Sequence, residues 1–244
     1  MTEGMSEGMS EGGGGRGPWS RLRSLLLGAI VVLIGAGIAG VATVHANPRH
    51  HLTVRLVPAP GGPPSATPVC PAAPAGNVGP RLGGVVLDPP AGFVRQPDQA
   101  VHAGVLSAPQ LAAVSQLPSQ AGAELVRDGF EGAVQRVWID SGAGEQVQVL
   151  LTQFSCPEGA AEYFNSQLAG SYGVAPSEPF VIDGLGGARG ERSTKADAKG
   201  HYLQVVGLVS GSIYAQTGTF TSLPDDGGLA GAISAMQAGA LAPV

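Results

Sequence analysis

The feature that most constrains this chain is an uninterrupted run of apolar residues from Leu25 to Val44. A helix of about 20 residues rises roughly 30 Å, which matches the thickness of the hydrocarbon core of a bilayer. Arg16, Arg21 and Arg23 lie just before the run, and basic residues are enriched on the cytoplasmic side of a span. The pattern therefore predicts one transmembrane helix over residues 25–44, with the N-terminus in the cytoplasm and the remainder outside the cell membrane.

A secretory signal peptide cleaved after Ala46 is the main alternative to an anchor. Val44 and Ala46 supply small residues at the positions that signal peptidase recognises. The apolar core is longer than the roughly 7–15 residues usual in a signal peptide, which favours the uncleaved span. Ala36 and Gly40 have the spacing that lets two spans pack closely, so a homodimer through the span is also consistent with the sequence.

The span contains a dinucleotide-binding pattern, G-x-G-x-x-G, between Gly35 and Gly40. A Rossmann unit also needs a second strand and an acidic residue about 20 positions further on. No Asp or Glu occurs between Glu11 and Asp88. The glycines are therefore interpreted as part of the membrane span, and no cofactor is expected.

Composition divides the remaining chain into three segments. Residues 1–24 are polar and Gly-rich and form a disordered cytoplasmic tail, because they offer too little apolar surface to fold. Residues 45–81 are rich in Pro, Gly and Ala and read as an extended tether. Residues 82–244 have the size of one globular domain.

The charge balance argues against a nucleic-acid partner. After residue 46 the chain has fewer Lys and Arg than Asp and Glu, and its formal net charge overall is -5. A polyanion needs a basic surface, which this sequence does not provide.

The two cysteines, Cys70 in the tether and Cys156 in the domain, would both lie outside the membrane. Disulfides persist in that compartment, so the pair is predicted to be bonded. Nothing in the sequence near Cys156 indicates a catalytic thiolate.

The domain begins with a predicted helix over residues 108–117, since Ser107 and Gln110 have the spacing of a capping box. Residues 130–140 and 145–154 form a predicted hairpin. In its second strand Val147, Val149 and Leu151 face one way while Gln146, Gln148 and Thr152 face the other. The next predicted helix, 157–169, begins at Ser155 and Glu158, which again have capping-box spacing.

The second half of the domain repeats this order. Short strands are predicted near residues 180–182 and 188–192, a hairpin over 201–209 and 212–220, and a closing helix over 226–240. Consecutive hairpins favour an α+β fold, with a mainly antiparallel sheet of about five to seven strands and two or three packed helices.

This order of elements resembles the exported domains of actinobacterial envelope proteins, including Mog1/PsbP-like lipoproteins and the sensor domains of receptor kinases. The segments that carry the resemblance are the Trp-containing strand leading to VLLTQFSCPEGAAEYFNSQL, the Gly184-Leu185-Gly186 turn and the hairpin HYLQVVGLVSGSIYAQTG. The resemblance covers residues 82–244. It implies a non-enzymatic domain, in some members with a ligand groove between sheet and helix.

No catalytic or metal motif is recognised. The stretch from Gly207 to Gly211 does not have the spacing of a nucleophile elbow, and His102 and His201 have no ligand partners in spacing. Glu124 and Asp128, with the nearby Glu131, are the carboxylates considered for glycoside cleavage and are interpreted as solvated.

The aromatic side chains are the candidates for lining a groove, although aromatics in strands and helices more often belong to a core. They are Trp138, Tyr163, Tyr202 and Tyr214. The sequence thus predicts a membrane-anchored, extracytoplasmic binding, sensor or scaffold domain of the cell envelope, for a small ligand or an envelope protein. A cell-envelope hydrolase with an unrecognised site is the alternative.

Overall fold

The computed structural model of the protein describes residues 54–56, 70–71, 78–88, 92–98, 103–114, 118–169, 176–224 and 228–242. They all belong to the second of two units of the chain, Ala42–Val244. The predicted span over residues 25–44 lies outside the described residues. Within the described residues no helix combines the length and the apolar character needed to cross a bilayer.

The described residues form strands and helices that alternate along the chain. The strands are β1 (Val54–Leu56), β2 (Val94–Arg95), β3 (Gly104–Leu106), β4 (Phe130–Asp140), β5 (Glu145–Phe154), β6 (Ser177–Ile182), β7 (Arg189–Ser193), β8 (Tyr202–Ser210) and β9 (Ile213–Thr221). The helices are α1 (Val78–Gly83), α2 (Ala108–Val114), α3 (Pro118–Arg127), α4 (Pro157–Ala169) and α5 (Gly228–Leu241).

All the strands belong to one antiparallel sheet, in the order β1-β6-β7-β8-β9-β5-β4-β2. The short strand β3 also pairs with β4, so β2 and β3 each cover part of the outer edge of β4. The two long hairpins, β4-β5 and β8-β9, join through β5 and β9 at the middle of the sheet. The predicted α+β class and antiparallel sheet are therefore confirmed.

The sheet separates two cores because side chains alternate between its faces. On one face α1 and α5 contribute Leu82 and Ile233 to a first core that also holds Trp138. On the other face α2, α3 and α4 form a second core, in which Leu125 and Tyr163 are buried. The domain thus has helices on both faces of a central sheet.

The count of elements differs from the prediction, since the described residues contain nine strands and five helices. The strands β1, β2 and β3 are two or three residues long, too short to show an alternating pattern. The helix α1 has only six residues, too few to show a helical period, and α3 begins at Pro118, a helix start that the sequence analysis did not use.

Two of the extra elements come from the segment interpreted as a tether. The strand β1 pairs with β6, so that Leu56 lies opposite Phe180. The helix α1 begins at Val78, and the Arg136 guanidinium donates hydrogen bonds of 2.5 Å to the carbonyl of its last residue, Gly83, and 3.2 Å to Val86 O in the chain that follows. A cation at this end of a helix is favourable because the helix dipole is negative there.

Candidate ligand-binding face

Three glutamine side chains share one face of the central strands. Gln146 and Gln148 alternate along β5 with Val147, so they lie on the same side as Leu150, which belongs to the second core. The register places Gln216 of β9 opposite Leu150. All three glutamines are half-buried, which means that solvent reaches this part of the sheet.

Gly218 lies beside these glutamines in the interior of β9, directly opposite Gln148. The Gln148 side chain lies over the glycine, because a Cβ built on Gly218 would be 2.7 Å from its Nε2 and 2.9 Å from its Cγ. A glycine inside a strand often marks a place where another group approaches the backbone closely. Here the absent side chain leaves room for the Gln148 amide above the sheet.

Two apolar side chains extend the surface toward β8. The register pairs Gln146 with Phe220 and Phe220 with Leu203, and both apolar side chains are half-buried. We call the whole set the glutamine face. Its members are Gln146, Gln148, Gln216, Gly218, Phe220 and Leu203.

The glutamine face joins the second core at one end, and Arg189 and Glu191 of β7 lie on the same side of the sheet. The Tyr214 hydroxyl donates a hydrogen bond of 2.9 Å to Gln216 Oε1. This bond uses one of the two lone pairs of the amide oxygen, and the NH₂ group of Gln216 is a further donor. None of the six members carries a charge, and the arrangement can offer hydrogen bonds next to an apolar strip without acid or base chemistry.

The structure does not bring the four predicted groove aromatics together. Tyr163 and Tyr214 pack edge to face with ring centroids 5.3 Å apart, both inside the second core. Trp138 is buried in the first core on the opposite face, and the half-buried Tyr202 lies on that same opposite face, as its register with Thr221 shows. The role of these aromatics in ligand binding remains a prediction.

Two of the three carboxylates considered for catalysis, Asp128 and Glu124, make contacts with other side chains. The buried Asp128 carboxylate receives two hydrogen bonds from the neighbouring Arg127, of 2.6 and 2.7 Å. Burial raises the pKa of Asp128, although Arg127 acts in the opposite direction. Glu124 accepts a hydrogen bond of 3.2 Å from the Ser166 hydroxyl. The bond between Ser166 and Glu124 joins α3 to α4.

The Tyr163 hydroxyl group lies in the same region of the second core. Burial raises the pKa of Tyr163 above its ordinary value, and the negative charges of Glu124 and Asp128 act in the same direction. The phenol is therefore kept neutral, which makes it a core group rather than a proton donor or acceptor at physiological pH.

The predicted disulfide between Cys70 and Cys156 is present, with a Cα–Cα distance of 5.8 Å. It holds the end of the proline-rich segment against the start of α4. The Ser155 hydroxyl reinforces the attachment by donating a hydrogen bond of 2.8 Å to Pro71 O. The Ser155 hydroxyl, which the sequence predicts as a cap of α4, thus binds the incoming chain.

In the described part of the chain no group of three or more His, Cys, Asp or Glu side chains is arranged to hold a metal ion. His201 Nδ1 lies 3.9 Å from the Asp197 carboxylate, which is a local contact within one turn. His50, His51 and His102 lie outside the described residues.

Sequence reasoning singled out aromatics and overlooked the glutamines as a site. The signal was present in β5, where Gln146 and Gln148 alternate with valines. What the pattern lacked was the partner strand: only the pairing of β5 with β9 places Gly218 and Phe220 beside these amides.

Comparisons with known proteins add a structural similarity. No family model matches the sequence, and no curated protein matches it. Among solved structures, the extracellular domain of PknH from Mycobacterium tuberculosis is similar, with a TM-score of 0.43 and 12% sequence identity. The alignment covers 74% of this chain and 98% of that domain. At this identity and TM-score the similarity defines neither a family nor a function for the chain.

Proposed function

We propose that this protein is a single-pass, membrane-anchored domain of the cell envelope that binds or senses a ligand outside the cytoplasm without catalysing a reaction. The observation that carries the proposal is the Cys70–Cys156 disulfide, which closes the chain over a sequence separation of 86 residues. Such bonds form and persist in oxidising compartments and are rare in the cytosol. The bond therefore supports export of the domain, and the apolar run over residues 25–44 supplies an anchor.

The chemistry of the glutamine face favours binding over catalysis. Side-chain amides donate and accept hydrogen bonds but do not exchange protons or attack substrates at neutral pH, whereas enzymes rely on His, carboxylate, Lys, Cys or activated hydroxyl groups. In this domain Asp128 and Tyr163, which have such groups and perturbed pKa values, are buried in the second core.

The proline-rich residues beyond β1 return to the domain at Cys70, which is bonded to the start of α4. They therefore join two points of the domain.

The test of export is the redox state of the cysteines in living cells. Cells are quenched in acid, and the unfolded chain is treated with a maleimide that adds a known mass to each free thiol. The full chain should remain unmodified because its cysteines are bonded. A matched chain lacking residues 1–46 would stay in the cytosol and should gain two labels. Two labels on the full chain would contradict the proposal.

Anchoring and binding are tested on the full chain purified from its own envelope. A denatured mass lacking residues 1–46 would show a cleaved signal peptide in place of an anchor. Under native conditions we expect an excess mass that disappears on denaturation, as a bound ligand requires, or a partner protein that copurifies. A bare monomer in every preparation would count against a binding role.

A further inference from the structure

We propose that the outward face of α5 binds a second copy of this chain, so that two exported domains pair through this helix. The proposal goes beyond the proposed function, because it names a partner and the surface that receives it. The outward face consists of the residues of α5 that point away from the sheet. They are Ala232, Ala235, Met236, Gly239 and Ala240.

The distribution of side chains around α5 is the reverse of that expected for a surface helix. Such a helix normally turns its apolar side to the core and its polar side to water. The two polar side chains of α5, Ser234 and Gln237, are instead buried, each with 1% exposure. The outward face holds alanine, glycine and methionine alone, and none of the fourteen residues of the helix is charged. A helix that is apolar all round is usually covered on every side.

Large apolar side chains reach solvent at this helix. Met236 lies in the middle of the outward face and is 41% exposed, and Leu87 of the neighbouring chain is 37% exposed. Leu87 is held next to α5 because its N–H donates a hydrogen bond to Gln237. Apolar side chains that are exposed together, unlike those exposed singly, are typical of a surface that binds a protein.

The shape and charge of the outward face are complementary to those of an identical face. Met236 is its one long side chain, and the small residues Ala232, Gly239 and Ala240 lie three or four positions away. At Gly239 no atom lies within 4 Å of a built Cβ, which leaves a hollow that a flexible methionine can fill. A two-fold axis brings identical surfaces together, so each copy would supply one methionine and one hollow. An uncharged helix offers nothing to pair with a charged partner, whereas it matches its own copy.

The size of the face predicts a weak contact. A helix of 14 residues is about 21 Å long, so its outward side buries much less than the roughly 800 Å² per partner of a stable complex. Anchoring both copies in one membrane would offset this weakness, because it raises their effective concentration. In this respect the inference rests on the proposed function, and pairing is therefore measured in the membrane.

The experiment introduces one cysteine into the full chain and oxidises isolated membranes with copper phenanthroline. The two native cysteines are bonded to each other, so the new thiol alone can cross-link. We expect at least one of Ala232→Cys, Ala235→Cys and Ala240→Cys to give a product of twice the chain mass, because a disulfide needs Cα atoms within about 7 Å. Val126→Cys is the matched control. Val126 is 75% exposed but belongs to α3 on the opposite face of the sheet, so this variant should stay monomeric.

A second substitution tests whether Met236 contributes to the contact. Added to the cysteine variant that cross-links best, Met236→Glu should lower the cross-linked fraction about tenfold, because pairing would bury two like charges. Met236→Leu keeps the size and the apolar character and should leave the fraction unchanged. Thermal unfolding of each variant shows whether the domain remains folded.

Four results would overturn the inference. They are no cross-linked product at any of the three positions, an equal product from Val126→Cys, a product that Met236→Glu does not reduce, and a product whose mass is not twice that of the chain. The last would assign the face to a different protein. Export and anchoring are judged separately by the cysteine state in cells and the denatured mass, so pairing can fail while they stand.

Discussion

At the scale of single residues, Gly159 is critical although it has no side chain. It lies in the first turns of α4, where a Cβ would collide with the backbone oxygen of Asp128 and the sulfur of Cys70. These neighbours are a backbone atom and a bonded sulfur, neither of which can move aside easily. We expect Gly159→Ala to lower the free energy of unfolding by about 1–3 kcal/mol, as overpacking does.

Gly239 is the matched control in another helix. It lies in α5, is exposed, and has no atom within 4 Å of a built Cβ. Gly239→Ala should raise the free energy of unfolding by about 0.5–1 kcal/mol, because alanine is the better helix former. Urea titration of both variants checks the pair. Equal effects of the two substitutions would show that the collisions at Gly159 do not matter.

Because the phenol of Tyr163 is buried, we expect the free energy of unfolding to fall at alkaline pH. Its pKa is raised in the folded state by burial, whereas in the unfolded chain it is near 10. Above pH 10 the unfolded chain releases a proton that the folded chain still holds, so the free energy of unfolding falls with increasing pH. Below pH 10 both states keep the proton and the effect vanishes.

Removing the phenol should make the alkaline loss of stability shallower. We expect the slope between pH 10 and 11 to decrease in Tyr163→Phe by up to about 1.4 kcal/mol per pH unit. Tyr202→Phe, at a half-exposed site, is the comparison and should leave the slope nearly unchanged. Urea unfolding at a series of pH values measures the slopes. A loss of core packing lowers the free energy of unfolding equally at every pH, so it does not change the slope.

At the scale of elements, the side chain of Gln237 joins α5 to the chain that follows α1, on the first face of the sheet. From α5, Gln237 Nε2 donates a hydrogen bond of 2.9 Å to Val85 O, and its Oε1 accepts one of 3.2 Å from Leu87 N. Both partners belong to the chain that follows α1. The side chain is only 1% exposed, so the bonds form in a largely water-free environment.

Replacing this glutamine by an apolar residue should loosen α1 and the chain that follows it. We expect Gln237→Leu to lower the free energy of unfolding by about 1–2 kcal/mol, because two backbone groups lose their partner. Met236→Leu, at the exposed neighbouring position, should change it by less than about 0.5 kcal/mol. Hydrogen exchange at Leu87 should accelerate in the first variant; unchanged exchange there would refute the link.

At the scale of the whole molecule, the disulfide connects the proline-rich segment to Cys156, which follows β5. This strand lies five positions from β1 in the order of the sheet. Loop closure between residues 86 positions apart should stabilise the folded state by about 2–5 kcal/mol. The double variant Cys70→Ser with Cys156→Ser is expected to lose that amount in guanidinium titrations. A reducing agent should destabilise the unmodified chain equally and leave the double variant unaffected. Equal stability of the oxidised and reduced chains would contradict this expectation.

Local patterns predicted the long elements of the fold well. The bounds of β4, β5 and α4 agree with the sequence, and β8 and β9 differ by one residue, because each has clear alternation or a marked start. The turn between β4 and β5 is also local: Asp140 Oδ1 accepts hydrogen bonds from Gly142 N and Ala143 N. Such elements need few partners to define them.

Local sequence patterns did not predict the short strands or the candidate site. The strand β1 has three residues and exists through its pairing with β6. The four aromatics looked alike in sequence, yet the sheet separates Trp138 from Tyr163 and Tyr214 because it has two buried faces. The glutamines of β5 became a candidate site only when β9 was placed beside them.

The sequence by itself determined the α+β class, the main hairpins, the pairing of the two cysteines and the apolar run that predicts an anchor. These depend on composition and on periodicity within ten or twenty residues. Only the tertiary structure decided which faces of the strands are covered, that the proline-rich segment is fastened at both ends, and that Gln148 lies over Gly218. Such features arise from contacts between distant parts of the chain, which periodicity within one segment does not encode.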